Sequence, residues 1–122
     1  MKKISITVND VVFEAALNGT ATARQLREVL PLKASAARWG DEIYCTVPLS
    51  VQLENPAETV HIGDIAYWPP GNALCVFFGK TPISTAAEIR PASAVTVIGH
   101  LISSPDMIAD ITGELIIHID CI

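Results

Sequence analysis

The chain has 122 residues, half of them hydrophobic, with 13 acidic and 8 basic side chains for a formal net charge of -5. That length suits one domain, residues 1–122, built on one core. No basic stripe is available to neutralise phosphates, which excludes nucleic acid as a partner, and no apolar run is long enough to span a bilayer.

Met1-Lys2-Lys3 is basic, but Ser5, Thr7, Asn9 and Asp10 interrupt the apolar residues after it, against the pattern of a signal peptide. The expectation is a soluble cytoplasmic protein without membrane contact. Ile4, Ile6 and Val8 alternate with Ser5 and Thr7, the period of a strand with one wet face. Asn9-Asp10 predicts a tight turn, and Val11 to Leu17 a second strand with Phe13, Ala15 and Leu17 on one face and Glu14 on the other. Thr22 and Gln25 have capping-box spacing and predict a helix over Ala23 to Leu30, which Pro31 ends. A helix of about two turns is not stable alone and must dock on a sheet.

Leu32 to Trp39 and Ile43 to Val47 read as paired strands around a Gly40-Asp41-Glu42 turn. Residues 49 to 62 carry a weaker pattern, with a turn at Asn55-Pro56 and a short strand near Val60 and Ile62. Gly63 to Gly79 reads strand, turn, strand: Ile65 to Trp68, then Pro69-Pro70-Gly71-Asn72, then Ala73 to Phe78. This stretch holds four of the seven aromatics, so packing should concentrate there. Thr85 to Ile89 predicts a single helical turn, broken by Pro91. Val95 to Ile102 is a strand whose Gly99 predicts a bulge or a close backbone approach. After one helical turn at Met107 to Ile111, Glu114 to Cys121 is the cleanest alternating strand.

About eight strands and one firm helix make an all-β domain. Crossover helices are too few for a parallel sheet, and a closed antiparallel barrel would remove exposed strand edges. Cys45, Cys75 and Cys121 are odd in number, far apart and set in apolar strand runs. They read as reduced thiols packed as small hydrophobes.

At three places the sequence resembles cyclophilins, and more closely a small prokaryotic group of cyclophilin-like proteins of unassigned function. The hairpin of Ile4 to Leu17 leads into Thr22-Ala23-Arg24-Gln25-Leu26, as a cyclophilin hairpin leads into its Thr-Ala helix. Phe77-Phe78 followed by Lys80-Thr81-Pro82 resembles a cyclophilin aromatic strand and loop. Val95 to Leu101 resembles a later glycine-bearing strand. Trp68-Pro69-Pro70-Gly71-Asn72-Ala73-Leu74-Cys75 is the tag of the smaller group. The resemblance implies a closed antiparallel β-barrel of about eight strands with one short capping helix. It also implies a groove on the outer barrel surface near Phe78 and Tyr44.

Cyclophilins isomerise Xaa-Pro bonds in such a groove, against an uncatalysed barrier of about 18–20 kcal/mol. An apolar pocket holds the proline ring, and an arginine hydrogen-bonds the prolyl nitrogen as conjugation is lost. Here the strand that should carry this arginine reads Ile43-Tyr44-Cys45-Thr46-Val47 and has none. Ile83 stands where a tryptophan is expected, and Ser93-Ala94 where a histidine is. Arg38 on the neighbouring strand is the candidate substitute.

Other chemistry is sparse. His61, His100 and His118 fall in separate strand patterns and supply no metal-ligand spacing. No nucleophile elbow or phosphate loop is present, and no cofactor is expected. Asp41-Glu42 and Glu14 read as solvated surface charge. The aromatics are the pocket signal. In Tyr67-Trp68 and in Phe77-Phe78 one ring must face inward and one outward, and an outward ring needs cover. The groove candidates are Arg38, Trp39, Tyr44, Tyr67, Phe77 and Phe78. The leading expectation is a small-ligand or peptide-binding module with no catalytic residue. A weak, Arg38-assisted prolyl isomerase is the second reading. A non-enzymatic homodimer built on outward aromatics is the third.

Overall fold

Alternating apolar residues at the N-terminus form a hairpin in the computed structural model, which describes residues 2–122. Strand β1 (Lys2–Val8) pairs antiparallel with β2 (Val11–Leu17), and Asn9 takes the left-handed conformation, φ 54°, at the turn. Helix α1 (Ala21–Glu28) comes next, then β3 (Leu32–Trp39), β4 (Glu42–Thr46), β5 (Asp64–Trp68), β6 (Ala73–Phe77) and β7 (Thr96–Leu101). A short helix α2 (Asp106–Ala109) precedes β8 (Leu115–Cys121). The strands close into an antiparallel barrel in the order β1-β2-β7-β5-β6-β4-β3-β8, with β8 pairing back onto β1.

The barrel interior is filled by one residue in two from each strand, among them Ile4, Ile6, Phe13, Leu17, Ile43, Ile65, Leu74, Val76, Ile98, Ile117 and Ile119. Ala23 and Leu26 of α1 and Ile108 of α2 join that core. A second apolar layer lies on the other side of the wall. Outward residues Ala66, Ala73, Cys75 and Phe77 are buried beneath Val60 and Val95. The two covering segments are tied together by antiparallel bridges, Ala57 to Val95 and Val60 to Ile89. Gly99 sits where β7 meets β2 and β5. A Cβ there would collide with the carbonyl oxygen of Ala16, and the β5–β7 register shifts between Ile65 and Ala66. The glycine therefore permits both the close approach and the bulge.

Four local expectations change. The helix starts at Ala21 rather than Ala23 and ends at Glu28, and its cap is Thr20, whose hydroxyl accepts from the Ala23 amide at 3.2 Å. Thr22 is instead buried, with its hydroxyl and amide both on Glu54, and that carboxylate also accepts from the Ala21 amide at 3.0 Å. A residue far along the chain thus does what Gln25 was expected to do. Thr85 to Ile89 is not helical, because Ile89 extends to bridge Val60 and the Thr85 hydroxyl accepts from the Ala87 and Glu88 amides. Cys121 is exposed at the end of β8, while Cys45 and Cys75 are buried. Glu42, read as solvated, is 6% exposed.

Candidate functional site

Residues directly opposed in an antiparallel sheet share a face, so register decides which side chains meet. Trp39 opposes Glu42, which opposes Phe77. Tyr44 opposes Cys75, which opposes Ala66, and Trp68 opposes Ala73. All of these lie on the outer face of the wall, opposite Ile43, Cys45, Leu74 and Val76. Trp39, Glu42, Tyr44, Cys75 and Trp68, with Pro91, Ala92 and Val95 from the covering segment, enclose a concavity of about 210 Å³.

The aromatic walls are held from behind. The Trp68 indole Nε1–H donates to the Ser93 hydroxyl at 2.7 Å, which ties β5 to the covering segment. The same ring lies over Gly71 in the 3-10 turn Pro69–Gly71, where a Cβ would come within 2.8 Å of it. Gly71 is therefore a seat for Trp68 as well as a turn residue. Asn72 completes the turn in the left-handed conformation, φ 46°.

Glu42 is the one charged side chain in the lining. Its Oε1 is shielded from solvent and has no hydrogen-bond partner. Burial pushes its carboxyl above the ordinary range, and the neighbouring Cys75 thiol pulls it partly back. Burial, reinforced by the Glu42 charge, pushes the Cys75 thiol up. Burial alone takes Cys45 to about 11. Neither thiol is a thiolate at neutral pH, so neither is an activated nucleophile.

The six residues singled out from the sequence divide. Trp39 and Tyr44 line the concavity, with Tyr44 37% exposed. Arg38 lies on the opposite face of β3 from Trp39, opposed to the inward Ile43. Its Nε donates to the Gly40 carbonyl at 2.8 Å, one terminal nitrogen to the Ala109 carbonyl at 3.2 Å and the other to Asp41 Oδ1 at 2.9 Å. The guanidinium stacks 5.0 Å from the centre of the Phe78 ring, itself part of the main core. Tyr67 is fully buried in that core, its hydroxyl donating to the Leu49 carbonyl at 2.9 Å. Phe77 is fully buried in the second layer. His61, His100 and His118 are exposed, and among the described residues no three His, Cys, Asp or Glu side chains are grouped to hold a metal.

Sequence reasoning misses Glu42 and Cys75 as lining residues, together with the wall of Pro91, Ala92 and Val95, while Trp68, part of the aromatic pocket signal but not among the six candidates, proves to be the outward ring of its pair and lines the recess. The available signal was the alternation within β4, which puts Glu42 on the same face as Tyr44. Its burial depends on Phe77 across the register and on a covering segment with no strand pattern of its own.

The fold has a counterpart among solved structures. A solution structure of a hypothetical protein from Archaeoglobus fulgidus matches with a TM-score of 0.83 and 38% sequence identity, over 99% of this chain and 95% of that one. No curated protein matches the sequence. The family profile described as Cyclophilin-like matches residues 2–120, nearly the whole barrel, and the chain belongs to that cyclophilin-like family.

Proposed function

We propose that this protein is a binding module that takes a small ligand or a short peptide group in the concavity between Trp39, Tyr44 and Trp68. One observation carries the reading: an apolar, aromatic-walled recess on the outer barrel face whose lining contains a single charged residue and no arginine. Such recesses with few polar groups are the usual form of ligand sites. At about 210 Å³ it is smaller than the roughly 300–1,000 Å³ of pockets for drug-sized molecules, so its occupant is the size of one side chain.

Both tryptophans of the chain line the recess, so their signals report on it without background. A fragment titration monitored by the indole N–H resonances should shift both in concert. A broad fragment set that leaves both indoles unmoved would dismiss the reading. The isomerase alternative requires Arg38 to leave three oxygen partners and the Phe78 face. A protease-coupled proline-peptide assay is expected to show no acceleration over buffer. Acceleration that disappears in Arg38→Ala would favour isomerisation instead. Light scattering at micromolar concentration tests the homodimer reading, which a plain monomer removes.

A further inference from the structure

We infer that the recess selects an ammonium group that still carries an N–H, presented on a small apolar body. This rests on the proposed binding role and names its ligand class. Three independent features of the site point the same way. Glu42 is 6% exposed, lines the recess and leaves Oε1 without a donor, although polar atoms buried this far are almost always satisfied. A ligand that brings a hydrogen-bond donor and opens the cover over this oxygen supplies the partner that the chain does not. The walls are the rings of Trp39, Tyr44 and Trp68, whose negative faces attract a cation and do little for an anion or a neutral hydroxyl. Finally, the lining holds no lysine, arginine or histidine to repel a cation, and the chain as a whole carries a net charge of -5.

The alternatives fit less well. A quaternary ammonium would satisfy the rings but has no N–H for Oε1. An anion would meet a carboxylate with no counter-charge. A neutral carbonyl would need Glu42 to donate, and it would leave the aromatic walls without a cation. An N–H-bearing ammonium answers the carboxylate by a charge-assisted hydrogen bond and the rings by cation–π attraction together.

The test is a titration of the full chain with benzylammonium, benzyltrimethylammonium and benzyl alcohol, read by tryptophan fluorescence. Benzylammonium is expected to bind about tenfold or more tighter than benzyl alcohol, with benzyltrimethylammonium between them. Glu42→Gln keeps the shape of the side chain and should reduce the preference for benzylammonium over benzyl alcohol to about twofold or less. Tyr44→Leu, at the exposed edge of the recess, guards against a Glu42 variant that does not fold. It should weaken benzylammonium more than benzyl alcohol. If benzyl alcohol binds as tightly as benzylammonium, the ligand class is wrong while the binding role stands. If benzyltrimethylammonium binds tightest, the role of Oε1 is wrong. If no probe perturbs the tryptophans, both this inference and the binding role fall.

Discussion

On β1, β2, β3 and β8 the outward side chains, among them Lys3, Val12, Glu14, Lys33 and His118, stand in water. On β4, β5 and β6 the outward Glu42, Ala66, Cys75 and Phe77 are buried. The inner face is apolar all round the barrel, so the two halves differ only in what lies outside them. The wet half reads as alternation. In the covered half β6 reads as an unbroken apolar run, and all five of its residues are buried. A strand buried on both faces needs a second layer, and here Ala57, Val60, Ile89 and Val95 of the two bridged covering segments supply it. The recess forms at the edge of that layer, where cover gives way to Tyr44. Covering an outer wall incompletely is thus what makes a site possible on a barrel whose interior is filled.

The largest contrast between the halves should come from truncating outward residues. Phe77→Ala is expected to destabilise by about 3–5 kcal/mol, since it empties a fully buried ring site. Val12→Ala, outward on the wet half and 62% exposed, should change stability by less than about 0.5 kcal/mol. Equal effects in urea unfolding would show that the covering layer is not packed as described. At the seam between the halves, Gly99→Ala should cost about 1–3 kcal/mol, because the new methyl meets the Ala16 carbonyl and the barrel wall must shift.

Two carboxylates should respond to pH in opposite directions. The Glu54 carboxyl is held below its ordinary range because the Ala21 and Thr22 amides hydrogen-bond it. Its contribution is present above its unfolded pKa and is lost as pH falls through the folded one. Glu54→Gln should therefore lower the melting temperature near neutrality, with the difference closing in acid. Glu42 is raised by burial, so its contribution is intact below its unfolded pKa and is lost as pH rises through the folded one. Glu42→Gln should therefore gain in melting temperature relative to the parent as pH rises from about 4 to 8. A constant difference across that range would mean that Glu42 is solvated. The gentlest probe is native alkylation. Cys121 should react promptly, and Cys45 and Cys75 only on unfolding.

Much of the fold was legible because strand alternation is a local property. Ile4 to Val8, Val11 to Leu17 and Leu115 to Cys121 carry their inward faces in their own spacing. Gly99 announced its close approach because a strand interior otherwise has no use for glycine. The aromatic pairs also obeyed the alternation rule. Tyr67 and Phe78 turn inward, Trp68 and Phe77 outward, and the outward rings have the cover they require.

The site was legible only in part. Trp39 and Tyr44 stood out as aromatics on adjacent strands. Whether Arg38 joined them depended on which face of β3 it took, and its partner Ile43 settles that only through pairing. The capping of α1 shows the same limit, since Glu54 lies outside any local window. The sequence by itself determined the strands, the docked helix α1 and the all-β class, because each rests on period and turn chemistry within a few residues. Tertiary structure alone decided that Glu42 is buried beside Cys75 and three aromatic rings. That outcome needs cross-strand register and the fold of a segment with no regular pattern, and neither is written in the neighbours of Glu42 along the chain.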